Sequence, residues 1–239
     1  MPKKACSLLS GGKDSTYALH KAVELGYEIS CIVSIKPFRK DSYMFHFPMV
    51  ELTSLQTESM GLKKVHYILN ITGEKEKEVE ELYYELSRIR KDNDFSTLVI
   101  GGIASQYQLN RFKRLAEKLN IDLFDPQWGV NPEKYMYDLI DYNIRFIITQ
   151  ITTYGIPMDL LGVEVDKEII KKIIGLSRKY GFHAAFEGGE AETFVIKAPL
   201  FNKGICIESY RKKISDFEYF LLPKSAYLCD NAKSIILNF

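Results

Sequence analysis

The chain has 239 residues, 46% hydrophobic and 13% aromatic, with 32 basic side chains against 31 acidic ones and a net charge of +1. That content excludes a disordered polymer, and the length allows one large or two small domains with a substantial core. The near-zero charge balance argues against a protein that lives on nucleic-acid backbone, and no stretch reaches membrane-spanning length, so neither partner is expected.

Residues 5–9 form a short apolar run that reads as a buried strand, and 16–23 read as a helix. Between them stands Ser10-Gly11-Gly12-Lys13-Asp14-Ser15. Strand, glycine pair and helix start is an arrangement that turns backbone N–H groups towards an anion. The glycines let the main chain approach phosphate oxygens, Lys13 adds a mobile charge, and Ser10 and Ser15 add hydroxyls. Asp14 suits a Mg²⁺ ion or a helix cap. The loop is not a Walker A sequence, because Ser7 stands where a glycine is needed and Asp14 follows the lysine.

Gly26 ends the first helix, 29–35 is a β-branched second strand, 36–48 a loop, 50–60 a helix and 64–68 a third strand. Residues 74–90 read as an amphipathic helix with Val79, Leu82, Tyr83, Leu86 and Ile89 on one face, its charge run a solvated surface. Strand 97–100, helix 107–119 and strand 121–124 continue the alternation, which predicts a doubly wound parallel sheet. Ligands of such sheets bind beyond the carboxyl ends of the strands. Three segments lie there: the loop at 10–15, the chain from Ile35 onward, and Gly101-Gly102-Ile103-Ala104-Ser105-Gln106-Tyr107-Gln108. On its own the last is a glycine turn with Ser105 as helix cap. Beside a nucleotide loop, its N–H groups, Ser105 and Arg111 become partners for an α-phosphate, with adenine near Ser34 and Ile35.

After Asp125-Pro126 the pattern changes, which divides the chain near Gln127 into residues 1–127 and a smaller α+β domain of residues 128–239. There Asn131-Pro132-Glu133 starts a helix, 145–153 is a strand, Asp166 caps a helix ended by Gly181, and strand-like segments run to the C-terminus. Glu187, Glu190 and Glu192 gather around Gly188-Gly189, with Phe186, Ala191, Phe194 and Val195 on either side. Carboxylates at a partly buried turn could hold Mg²⁺, a cationic substrate or ammonium. His20, His46, His66 and His183 show no metal-ligand spacing; His20 and His66 read as structural, and His183 is the one near the acidic turn. Cys6, Cys31, Cys206 and Cys229 lie far apart with no C-x-x-C pair, and free thiols in a reducing cytoplasm are expected.

The S-G-G-K-D-S stretch resembles the pyrophosphate-binding loop of the N-type ATP pyrophosphatases, which cleave ATP between the α and β phosphates. Together with Gly102 to Gln108 and Arg111, and with Glu187-Gly188-Gly189-Glu190-Ala191-Glu192-Thr193 ahead of Pro199-Leu200-Phe201, the chain resembles the diphthine–ammonia ligase family over most of its length. Ala191 stands where family members often carry an aromatic. The resemblance implies a five-stranded Rossmann-like domain of the adenine nucleotide α-hydrolase type, and a second domain bearing the E-G-G-E motif. It implies ATP-dependent amidation of diphthine, a modified histidine of translation elongation factor 2, to diphthamide, with AMP and pyrophosphate released. ATP and Mg²⁺ are the implied cofactors, an acyl-adenylate the intermediate, free ammonium the nitrogen donor and the cytoplasm the compartment, with a homodimer left open.

Lys13, Asp14, Glu187 and Glu190 are then the expected catalytic residues, Asp14 also the metal ligand. Ser10, Gly11, Gly12, Ser15, Ile35, Gly101, Gly102, Ser105, Tyr107, Gln108 and Arg111 join Lys13 and Asp14 on the nucleotide. Gly188, Gly189, Glu192 and Thr193 join the two glutamates on the substrate, with Phe186 and Phe194 as walls for diphthine's quaternary ammonium. Two other readings are a tRNA-modifying pyrophosphatase and an ATP-binding regulatory module. The first would want cysteine pairs or a basic extension, and neither is visible; the second would bind ATP without forming AMP.

Overall fold

The computed structural model describes residues 2–37, 49–72 and 77–238. Most of the loop expected at 36–48 and the start of the charge run at 74–78 therefore lie outside the described residues. The first half runs β1 (Lys4–Leu8), α1 (Lys13–Glu24), β2 (Glu28–Pro37), α2 (Met49–Ser59), β3 (His66–Ile71), α3 (Lys77–Asp92), β4 (Thr97–Val99), α4 (Gln106–Leu119) and β5 (Asp122–Phe124). Its five strands lie in the order β3-β2-β1-β4-β5, and every pairing is parallel. Its central strands β1 and β4 are buried on both faces, as strands of a parallel sheet covered by helices are. Cys6, Leu8, Val33 and Leu98 pack against Leu82, Leu86 and Leu115 on one side, while Ala5, Leu9 and Ile32 meet Ala18 and Leu19 on the other.

β3 starts later than the apolar run suggested. Lys63–Val65 form a single 3-10 turn, and the strand then buries Leu69 and Ile71 at period two, as an edge strand with one covered face does. Ser105 does cap α4, its hydroxyl accepting the Gln108 N–H at 3.4 Å. Asp14 does not cap α1: Gly12 holds the cap position without a side-chain bond.

The second half runs α5 (Pro132–Asp141), β6 (Arg145–Ile151), α6 (Lys167–Tyr180), β7 (Ala191–Lys197), β8 (Gly204–Lys213), β9 (Tyr219–Cys229) and β10 (Lys233–Leu237). The strand order is β10-β8-β9-β6-β7, with β10 parallel to β8 and the other pairs antiparallel. Asn131 and Asp166 cap α5 and α6 by accepting N–H bonds from Lys134 and Ile169 at 2.9 and 2.8 Å. Phe146, Ile147, Ile148 and Ile151 of β6 form the centre of this core with Ile170, Ile173 and Phe194.

The expectation of free thiols is corrected. Cys6 and Cys31 are register partners on neighbouring strands, and Cys206 and Cys229 lie across the β8–β9 ladder; the two pairs are bonded, with Cα atoms 4.3 and 5.9 Å apart. Pairing of this kind depends on strand register, which spacing in the sequence does not reveal. No helix among the described residues is long and apolar enough to cross a membrane.

Candidate active site

The strand order reverses at β1 and β4, so the loops that follow them face each other across the switch point. They touch main chain to main chain: a Cβ on Gly101 would sit 2.4 Å from the Asp14 carbonyl oxygen and 2.6 Å from the Ser15 nitrogen. Only glycine permits that approach. Gln127, 1% exposed, ties the junction from below by donating to the Asp14 carbonyl at 3.0 Å.

The first loop is built by both sheets. β7 is the edge strand of the second sheet, and the Gly11 carbonyl accepts from the Val195 N–H at 2.9 Å, closing that edge. Gln56 of α2 donates to both the Gly11 and Val195 carbonyls, at 3.0 and 2.8 Å. The Lys13 N–H donates to the Thr193 hydroxyl at 3.2 Å. Gly11 is left-handed with φ of 87°, and a Cβ there would meet the Phe194 ring at 3.0 Å. Within the loop, the Ser10 N–H donates to the Ser15 hydroxyl at 3.2 Å, and the two serine hydroxyls lie 3.0 Å apart.

Lys13 does not stand free towards the cavity. It is 2% exposed, and its ammonium donates to Asp14 Oδ2 at 2.7 Å and to the Ala185 carbonyl at 2.8 Å. The other Asp14 oxygen accepts from the Tyr135 hydroxyl at 3.0 Å, and burial followed by the Asp14 charge pushes that phenol well above its usual range. Asp14 is thus committed to two protein donors. Among the described residues no group of three His, Cys, Asp or Glu side chains converges as a metal site.

A cavity of about 570 Å³ opens between the two loops. Ser10, Ser15, Ile35, Gly101, Gly102, Ser105, Tyr107, Gln108 and Arg111, all expected at the nucleotide, line it. Its apolar wall comes from Val33, Ile35, Ile71, Val79 and Leu82. Arg111 is paired with Glu78 and lies 4.1 Å over the Tyr107 ring, so it is engaged within the wall. Asp125 and Trp128 also line the cavity and were not singled out from sequence. The position of Asp125, directly after a strand beside the switch point, was the available signal. Its Oδ1 accepts from the Gly102 N–H at 3.2 Å, while Oδ2 is buried without a partner. Burial, opposed by that bond and reinforced by the charges of Glu187 and Asp14, raises its pKa to about 6.

The acidic turn lies against the second glycine loop, and two of its glutamates, Glu187 and Glu190, are engaged by protein N–H groups. Glu187 Oε1 accepts from the N–H groups of Ile103, Ala104 and Ser105 at 3.2, 3.4 and 3.3 Å. Glu190 accepts from His183 N–H and Gly188 N–H, both at 2.8 Å, and so locks its own turn. His183 Nδ1 accepts from Ala185 and Glu187 N–H at 3.3 and 3.4 Å, so the histidine shapes the turn from within. Phe186, left-handed at φ of 64°, makes the bend that delivers Glu187 to the second loop. Gly188, Gly189 and Glu192 are exposed.

Phe186 and Phe194 do not wall an open pocket. They are 5% and 0% exposed, Phe194 packing beneath Gly11 and Phe186 beside the Lys13 ammonium, 5.6 Å from its ring centre. Ala191 is 6% exposed and belongs to the same core. His20 and His66 are structural, as expected. His20 lies between the Thr16 carbonyl at 2.8 Å and the Leu200 N–H at 3.2 Å, and His66 contacts the hydroxyls of Ser34 and Thr57 at 2.9 and 3.1 Å.

The chain matches the model of the diphthamide synthase N-terminal domain over residues 3–123 and that of the diphthamide synthase C-terminal domain over residues 131–227. Diphthine–ammonia ligase of Bos taurus is 31% identical over 225 residues, covering 86% of this chain and 83% of the relative. The Homo sapiens diphthine–ammonia ligase is 30% identical over 236 residues, with 91% and 87% covered. That of Saccharomyces cerevisiae is 26% identical over 235 residues, which cover 84% of this chain and 34% of the longer relative. With both domain models in sequence order and the glycine loops, cavity and acidic turn assembled at one place, the chain belongs to the diphthamide synthase family.

Proposed function

We propose that the protein is an ATP-dependent ligase that joins ammonia to the carboxylate of diphthine on an acceptor protein, taken from the family resemblance as translation elongation factor 2. One observation carries the reading: Glu187 of the E-G-G-E turn bonds to the loop that lines the cavity opened by the S-G-G-K-D-S loop. The apolar wall of Val33, Ile35 and Ile71 suits a purine, which places the phosphates towards Ser10 and Ser15. The acceptor carboxylate attacks the α-phosphorus, the bond to the β-phosphate breaks, and pyrophosphate leaves with its charge held by the first loop. Ammonia then attacks the acyl carbon of the adenylate, the bond to AMP breaks, and the surplus proton goes to solvent.

In this reading Lys13 keeps its positive charge directly behind the loop by bridging Asp14 and the Ala185 carbonyl. The exposed face of the turn at Gly188, Gly189 and Glu192 presents negative charge to the fixed cation of diphthine. The Mg²⁺ that the family resemblance implies would enter as a counter-ion to the nucleotide's phosphates; among the described residues no group of three His, Cys, Asp or Glu side chains converges to hold it. The cytoplasm, as the compartment in which the acceptor works, follows from the family resemblance, while the two bonded cysteine pairs lend it no support. The deciding experiment incubates the protein with diphthine-bearing elongation factor, ATP and ammonium, then measures the histidine by mass and the nucleotides by chromatography. Diphthamide with stoichiometric AMP is expected. ADP in place of AMP, or ATP bound with no amide formed, overturns the reading.

A further inference from the structure

Four successive N–H groups of the second glycine loop end on two carboxylates. Gly102 donates to Asp125, and Ile103, Ala104 and Ser105 fan onto a single oxygen of Glu187. A nest of N–H groups at a helix start ordinarily takes an anionic ligand. Here the protein supplies the anions, one from the end of β5 and one from the turn before β7. A phosphate group entering the same nest would meet two negative charges that already use its donors, so the nest is not where the nucleotide is held.

The loop still matters to the nucleotide, because its Gly101, Gly102 and Ser105 line the cavity. Its neighbour on the other side is fixed, since Gly101 rests against the Asp14 main chain. On the cavity side, these four N–H groups tie its shape to residues outside it. We propose that Glu187 and Asp125 are positioning residues for the nucleotide: together they clamp the 102–105 segment into the form that closes the cavity. Glu187 thereby makes nucleotide affinity depend on a turn contributed by the second sheet. This assigns Glu187 a different job from contact with the acceptor, and it gives Asp125 a role.

The proposal rests on the reading of the cavity as an ATP site, and the test separates the two. Trp128 lines the cavity and is the single tryptophan, so its fluorescence follows nucleotide titration in the intact protein. Dissociation constants for ATP would be measured for wild type, Glu187→Ala, Glu187→Gln and Asp125→Ala, beside KM for ATP and for the acceptor protein. Glu187→Ala should weaken ATP binding and raise KM for ATP about tenfold or more, with KM for the acceptor at saturating ATP unchanged. Glu187→Gln, which keeps an acceptor oxygen without the charge, should fall between Ala and wild type. Circular dichroism and thermal melting identify any variant that fails to fold, and Asp125→Ala, which removes the acceptor for the Gly102 N–H, then supplies the same comparison from the other side of the clamp. Wild-type ATP affinity in Glu187→Ala with a raised KM for the acceptor overturns the clamp and leaves the ligase reading standing. No ATP binding by the wild-type protein overturns both.

Discussion

The two glycine loops look alike in sequence, each following a strand of the parallel sheet and opening a helix, yet they are braced by opposite chemistry. The main chain of the loop at 10–15 is held by neutral groups: the hydroxyls of Ser15 and Thr193 accept its N–H bonds, and Gln56 and the Val195 N–H hold its Gly11 carbonyl. The loop at 102–105 is held by the carboxylates of Asp125 and Glu187. A hydroxyl can turn from accepting to donating when a phosphate arrives, whereas a carboxylate can only repel it. The first loop is therefore suited to take negative charge and the second to shape the space beside it. A glycine-rich turn at a helix start is not by itself an anion site; what already sits on its N–H groups decides.

The largest effect should come from the point where the loops meet. Gly101→Ala places a Cβ within 2.4 Å of Asp14 main chain, which has no side chain to swing away. Forcing the loops apart should cost about 1–3 kcal/mol of stability and remove nucleotide binding. Gly175→Ala in α6, where a Cβ meets nothing within 4 Å, is the control. It should stabilise by about 0.5–1 kcal/mol with activity unchanged. Thermal melts and ATP titrations read both, and intact ATP binding in Gly101→Ala would mean the close approach is not needed.

Next comes Lys13→Ala, which strips the first loop of its charge and of its bridge to Ala185. Amide formation should fall by about 2–4 kcal/mol in transition-state terms. The variant should also melt lower, because Asp14 loses its cationic partner in a largely buried place. A wild-type rate at saturating ATP would remove the first loop from pyrophosphate binding.

How much of this contrast was legible in the sequence follows from how local each signal is. Helix starts at Asn131 and Asp166, the Ser105 cap and the alternation that builds the first sheet all depend on residues a few positions apart. So did the nine predicted residues that line the cavity. The second sheet was readable only as strands, because β10 lies beside β8 although β9 follows β8 in the chain. The partner of Lys13 lies 172 positions away, and Glu187 reaches donors 82–84 positions upstream. No periodicity encodes such contacts. For the same reason Phe186 and Phe194 looked like pocket walls from composition, when packing between the sheets buries both.

The brace between the first loop's helix and the second sheet also carries a proton-sensitive link. His20 accepts the Leu200 N–H on one nitrogen and contacts the Thr16 carbonyl with the other, and burial lowers its pKa from 6.5 to about 4. A lowered histidine pKa means the neutral form is favoured on folding. Its contribution is complete above pH 6.5 and is lost as pH falls through about 4, at most about 3 kcal/mol. His20→Gln, which can offer both a donor and an acceptor, should flatten that part of the stability profile. Urea unfolding near neutral pH and near pH 4.5 compares them; parallel profiles would show that His20 does not set the acid limb.

The smallest effect should sharpen the comparison most, because it tests the second loop's charge directly. Asp125 has a pKa raised to about 6, chiefly by burial, with Glu187 and Asp14 adding repulsion against the bond from Gly102. A raised carboxyl pKa means folding favours the protonated form. That contribution is complete below 3.8 and is lost as pH rises through about 6, so ionised Asp125 weakens the folded state at neutral pH. Nucleotide phosphates would add negative charge to the same surroundings, and Arg111 on the cavity wall is already paired with Glu78. Binding should therefore draw a proton onto Asp125, and ATP affinity should fall as pH rises through this range, by no more than tenfold per pH unit. Asp125→Asn keeps the acceptor for Gly102 N–H but cannot ionise. It should flatten the pH dependence of ATP binding and, after allowance for partial exposure, stabilise the protein by about 1–2 kcal/mol at pH 8. Ser15→Ala, which alters the first loop and leaves Asp125 in place, should keep the wild-type pH slope when titrated alongside. Trp128 fluorescence titrations from about pH 5 to pH 8 decide it: an unchanged slope in Asp125→Asn would mean that the second loop's carboxylates do not sense the nucleotide.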